Sequence, residues 1–114
     1  MANRYYLSLK DPSKARGTGA AFAFTANGAA EFAAQLQQAL RSDDLFNRWR
    51  NAQPEPDEVD ETLAATDPAA TVTGEQSDLR IDLVAVTTLP GSILKHRLTL
   101  LAGNGWELRD VAKA

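Results

Sequence analysis

The sequence predicts an α+β fold, an antiparallel sheet of four to five strands with two or three helices on one face. Three observations carry this. Apolar residues alternate over residues 4–9, 79–89 and 106–111, the period of a half-buried strand. Over 28–41 they recur every three or four residues, the period of a helix buried along one stripe. The chain has 114 residues, 44% apolar and 24% charged, which are globular values and not those of a disordered chain or a fibre. A single domain over 1–114 can bury roughly two-thirds of its unfolded surface, so it needs neither disulfide nor metal to hold a core.

Tyr5, Leu7 and Leu9 share one face of the first strand, with Arg4, Tyr6 and Ser8 on the other. Pro12, Gly17 and Gly19 punctuate a polar loop over 10–19. Alternation over 21–25, with Phe22 and Phe24 together, predicts an extra N-terminal strand paired with the first as a hairpin. Asn27 is placed to cap the helix over 28–41, because its side-chain oxygen can accept from a backbone amide that the helix leaves unpaired. Phe32, Leu36 and Leu40 form the inward stripe of that helix, with Ala29, Ala33 and Ala39 beside them. Ser42 is expected to cap a second helix, with Asp43 and Asp44 against its dipole and Leu45, Phe46 and Trp49 facing inward.

Pro54 and Pro56 end that helix, since each removes a donor and restricts the residue before it. The stretch 53–68 has few apolar anchors beyond Val59 and Leu63, and reads as a solvated acidic loop with one helical turn at 60–65. Strands over 71–73 and 79–89 are expected to join at 74–77. In the second of them Leu79, Ile81, Leu83 and Ala85 share a face, and Val84 and Val86 make the opposite face apolar too, the mark of a central strand. Ile93, Leu94, Leu98 and Leu101 favour a helix capped by Ser92 and ending at Gly103; a strand with Leu98 and Leu100 inward is the alternative. Trp106 and Leu108 face inward from the closing strand. Setting the extra strand aside, the order is the βαββαβ of the ferredoxin-like fold, which by itself implies no activity.

The net charge of −3 conceals three blocks. Residues 1–50 carry +3, residues 51–78 carry −8 with no base, and residues 79–114 carry +2. The acidic, proline-containing segment is therefore expected to fold back over basic flanks and screen them from an anionic partner. Nucleic-acid binding through those flanks is the least favoured of the readings.

Candidate chemistry is sparse. The chain has no cysteine, which excludes thiol nucleophiles, disulfides and zinc ribbons. His96 is the single histidine. On the expected helix it lies off the apolar stripe, so it should be exposed, with Lys95 and Arg97 depressing its pKa by repulsion. No Gly-x-Ser-x-Gly elbow surrounds Ser92. Residues 14–19 hold two bases and two glycines, but neither phosphate-loop spacing is complete. Residues 57–61 are acidic, yet Thr62 stands where a calcium loop needs glycine.

What is left is recognition surface. Arg48, Trp49 and Arg50 on the second helix, and Lys95, His96 and Arg97 on the third, are the candidate partner-binding residues. The expectation is a non-enzymatic, cytoplasmic interaction or regulatory module without cofactor, metal or membrane span, engaging a protein partner or a second copy of itself. The alternative is a small-ligand site or small enzyme beside the sheet, drawing on Tyr6, Arg80, Asp82, His96 and Arg97. That alternative requires a pocket of at least about 300 Å³ lined by two of these groups.

Overall fold

The computed structural model describes residues 2–14, 23–26 and 28–114. Strand β1 spans Asn3–Leu9, helix α1 Ala29–Arg41 and helix α2 Asp44–Asn51. Two 3-10 turns follow at Pro56–Glu58 and Glu61–Ala64. The chain ends with β2 (Thr71–Ser77), β3 (Arg80–Thr87), α3 (Gly91–Ala102) and β4 (Glu107–Lys113). The four strands form one antiparallel sheet in the order β2-β3-β1-β4. The fold is α+β, as the periodicities predict. With α2 set aside the elements run β-α-β-β-α-β, and β3 stands between β1 and β2.

The molecule measures 42 × 33 × 18 Å, the proportions of one helical layer on one sheet. Tyr5, Leu7 and Leu9 of β1 and Ile81, Leu83 and Ala85 of β3 turn toward the helices and are buried. Phe32, Leu36 and Leu40 of α1 and Leu94 and Leu98 of α3 close over them. A Cβ at Gly74 of β2 would lie 2.6 Å from the carbonyl oxygen of Ala29, so α1 sits on the sheet at a distance only glycine allows. Gly74→Ala is expected to lower stability by about 1–3 kcal/mol in urea denaturation, through a backbone shift of α1.

Several local expectations fail for identifiable reasons. Residues 23–26 are not strand: the Phe24 amide donates to Leu101 O at 2.9 Å and its ring packs edge-on against Phe32, 4.9 Å between centroids. The remainder of the expected extra strand, 21–22, lies outside the described residues, as does Asn27, and Gly28 stands at the N-cap of α1. Ser42 ends α1 instead of starting α2, whose N-cap is Asp43. Pro90 holds the N-cap of α3, with Ser92 inside its first turn. β2 runs through to Ser77 and the turn moves to Asp78 and Leu79. Asp78 takes the left-handed conformation (φ 56°) that a short polar side chain tolerates. Leu79 is therefore 85% exposed and not inward. The final ambiguity resolves as a helix. It is buried on most of its circumference, which is why its amphipathic signal was weak, and Gly103 at φ 60° ends it.

The acidic segment is not a uniformly solvated loop. A helix leaves its last four carbonyls without partners. In α1 these are met from outside the helix as well as at its end. Ser42 N donates to Gln38 O (3.2 Å), Asp67 N to Leu40 O (2.8 Å) and Arg97 Nη1 to Ala39 O (2.7 Å). The buried Asp67 carboxylate accepts from Thr87 Oγ1 (2.8 Å), Thr88 N (2.9 Å) and Ala69 N (3.0 Å). Led by the Thr88 amide, these donors hold its pKa below the usual carboxylate value against the opposing effect of burial. The expected turn over 60–65 is present as Glu61–Ala64, started by Asp60 accepting from Thr62 N at 3.0 Å.

Candidate functional site

Of the six residues expected to meet a partner, Arg97 is unavailable. Its side chain is fully buried, donating to Ala39 O and, through Nη2, to Leu63 O (2.8 Å) and Ala65 O (2.7 Å). Burial lowers its pKa from the ordinary arginine value, and Asp43 opposes the shift. A charged residue inside an apolar run reads as an exposed interruption of the stripe. Here the planar guanidinium meets three carbonyls from two segments at once, through a fork of donors spread over two nitrogens.

His96 is half-buried, which corrects the exposed placement. Its ring meets Trp49 edge-on, 4.6 Å between centroids, and Nδ1 is enclosed without a hydrogen-bond partner among the described residues. Burial first and the Arg97 charge second lower its pKa. The direction is the one repulsion predicts; the larger cause is desolvation. The folded state therefore favours neutral imidazole, and the unfolded chain binds the proton more readily. This contribution to stability is complete above pH 6.5 and declines as pH falls through that value toward the lower folded pKa. His96→Phe should flatten the stability profile between about pH 5 and 7, measured as urea midpoints.

Trp49 is half-buried against Phe46 and the core. Arg50 lies 3.8 Å from both Asp57 and Glu61, so the acidic segment does return to α2 at this residue. Both pairs are long and their acids exposed, so salt should loosen them. Arg48 and Lys95 stand on the surface. The structure thus joins Trp49 to His96 and Arg50 to the acidic segment, and turns Arg97 inward.

The other face of the sheet carries no helix among the described residues. Strand register sets its residues in three rows across β2, β3, β1 and β4. One end row is Thr71, Val86, Arg4 and Ala112; the middle row is Thr73, Val84, Tyr6 and Asp110; the other end row is Glu75, Asp82, Ser8 and Glu107. Tyr6, Val84 and Val86 are half-buried at the centre. Asp82 accepts from Ser8 Oγ at 3.1 Å and pairs with Arg80 Nε at 3.0 Å, while Glu107 pairs with Lys10 at 3.3 Å.

A register shift places one extra residue in β4 opposite Tyr6 and Leu7, so Leu108 pairs with Leu7 and Asp110 with Tyr6. In a regular strand neighbours point to opposite faces; the extra residue sets Asp110, opposite the outward Tyr6, on the same face as Arg109, which follows the inward Leu108, and both border one depression. That depression, about 560 Å³, is also bordered by Tyr6, Arg80 and Asp82. Sequence reasoning missed Arg109 and Asp110, although the signal was present. Leu108 and Val111 are three apart, an odd spacing that a regular strand with both on one face cannot have.

Residues 15–19 of the phosphate-loop candidate lie outside the described residues, and Lys14 is 3.9 Å from Asp11. Among the described residues no group of three His, Asp or Glu side chains could hold a metal, and no helix is long and apolar enough to cross a membrane. The architecture, with its helices on one face of the sheet among the described residues, defines an open-faced α+β domain in which Ser8 of the other face is nonetheless buried. Comparison with protein-family models, curated proteins and solved structures finds no match to this chain.

Proposed function

We propose that this chain is a non-enzymatic cytoplasmic interaction module whose recognition surface is the open face of its sheet. The observation that carries the reading is the composition of that face. Tyr6, Val84 and Val86 are apolar at the centre and stay partly exposed, while Arg4, Arg80, Asp82, Arg109 and Asp110 surround them. An apolar centre within a polar rim is the anatomy of a protein interface. A photo-crosslinking residue at Val84 should trap protein adducts in cells, and one at Glu31, exposed on α1, should not. Adducts at neither position, or equally at both, would refute the reading.

One observation favours a second reading. Tyr6, Arg80 and Asp82 were the polar groups expected around a small-ligand site, and they meet at the 560 Å³ depression. A small anion bound there should raise the melting temperature of the wild type but not of Arg109→Ala. If no member of a panel of phosphates, carboxylates and amino acids shifts the wild type, this reading falls.

A further inference from the structure

We propose that the occupant of the open face is a second copy of this chain, seated about a two-fold axis running across the strands along the middle row. This rests on the reading of that face as an interface and adds its partner and geometry. An isologous interface must complement itself, so its charges must balance when the face is turned onto its own image. The charges here are arranged along the strands. Arg4 stands in one end row, and Glu75, Asp82 and Glu107 in the other, where Arg80 pairs with Asp82, Lys10 pairs with Glu107, and Glu75 is left without an ion pair among the described residues. The side chains of Arg4, Glu75 and Arg109 make no hydrogen bond or ion pair among the described residues.

Sheets packed face to face in the aligned manner keep their strand directions within about 30°. A two-fold axis in the interface must then run nearly along the strands or nearly across them. Along the strands, each row meets itself, and Glu75 is set over Glu107 of the second copy. Like charges opposed in this way are destabilising. Across the strands, the end rows exchange. Arg4 then lies over Ser8 of the second copy, between its Asp82 and Glu107. Tyr6 and Val84 each meet themselves, close to the axis.

The bulge completes the pairing. Asp110 is in the middle row, so the axis sets it beside Asp110 of the second copy, which alone would be repulsive. Arg109 lines the same depression. Two reciprocal pairs, Arg109 with Asp110 of the other copy, replace the repulsion. Leu108 turns toward the helices, so alternation alone sets Arg109 on the open face; without the extra residue in β4, Asp110 would point toward the helices and Arg109 would have no acid to meet across the axis. Four strands about 4.8 Å apart and seven residues of about 3.3 Å give a face of roughly 450 Å² in projection. Its side chains add to this, toward the roughly 800 Å² per partner of a standard interface.

Sedimentation of the purified chain tests the proposal. The wild type should pass from 12.3 kDa to twice that mass as its concentration rises into the micromolar range. Arg109→Asp and Asp110→Arg each set like charges across the axis and should weaken association at least about tenfold. Mixed in equal amounts they should associate again, because opposite charges then face each other in both pairs. Unchanged circular dichroism of each variant shows that folding is not the cause. A wild type that stays at 12.3 kDa, single variants that associate as it does, or a mixture that stays monomeric would each overturn the proposal. A Val84 adduct containing a different protein, from a wild type that is monomeric, would overturn it while leaving the interaction reading intact.

Discussion

Arg97→Met is expected to lower stability by about 3–5 kcal/mol, read from urea denaturation with an unchanged slope. The reason is an asymmetry between the two sides of the contact. A buried ion pair can often be replaced by apolar side chains at little loss, because both charges leave together. Arg97 has no such option. Its acceptors are the main-chain carbonyls of Ala39, Leu63 and Ala65, which no substitution at Arg97 removes. Methionine would leave them unpaired while restoring only part of the packed volume. Arg97→Lys should recover part of the loss, since one ammonium cannot reach the three carbonyls in the geometry of a planar fork. Amide exchange should localise the effect to the Glu61–Ala64 turn and the end of α1. If Arg97→Met were as stable as the wild type, the guanidinium would not be what fastens the acidic segment.

Asp67→Ala should have the next largest effect, about 2–4 kcal/mol, because it strands the Thr88 and Ala69 amides and the Thr87 hydroxyl. Its pH dependence has a definite sign. The folded carboxyl is the stronger acid, so its contribution is present above the unfolded value near 3.8 and is lost as pH falls through the lower folded value. The wild type should therefore lose more stability than Asp67→Ala on acidification below about pH 4. Parallel acid profiles for the two proteins would show that the carboxylate is not ionised within its three donors.

Both residues mark the limit of what could be read from the sequence. The sheet was legible because one of its faces is buried, and a period of two is unmistakable where Tyr5, Leu7 and Leu9 alternate with Arg4, Tyr6 and Ser8. Helix α1 was legible because it packs by one stripe. Helix α3 was ambiguous because it is covered on several sides, which erases the contrast that periodicity detects. Asp67 and Arg97 were misplaced for a shared reason. Local pattern assigns a charged residue to solvent, and most of their partners are main-chain groups, those of Thr88, Ala39, Leu63 and Ala65 standing 21 to 58 residues away, which carry no side-chain signature. Single Ser and Asn residues near helix ends named too many possible caps, and the chain used Gly28, Asp43 and Pro90. At the candidate interface Tyr6, Arg80 and Asp82 were identifiable by alternation alone. Alternation also places Arg109 outward, beside the inward Leu108, but not Asp110, because the bulge that turns Asp110 to the open face depends on how β4 registers against β1.

The central claim is that the open face of the sheet is covered by its own image. Hydroxyl-radical footprinting of the purified chain across a concentration series tests this at the residue on the axis. Oxidation of Tyr6 should fall as concentration rises through the association range, with Trp106, packed on the helical side of the sheet, reacting equally throughout. Tyr6 reactivity that is independent of concentration while the mass doubles would show that the copies meet elsewhere, and would contradict the account.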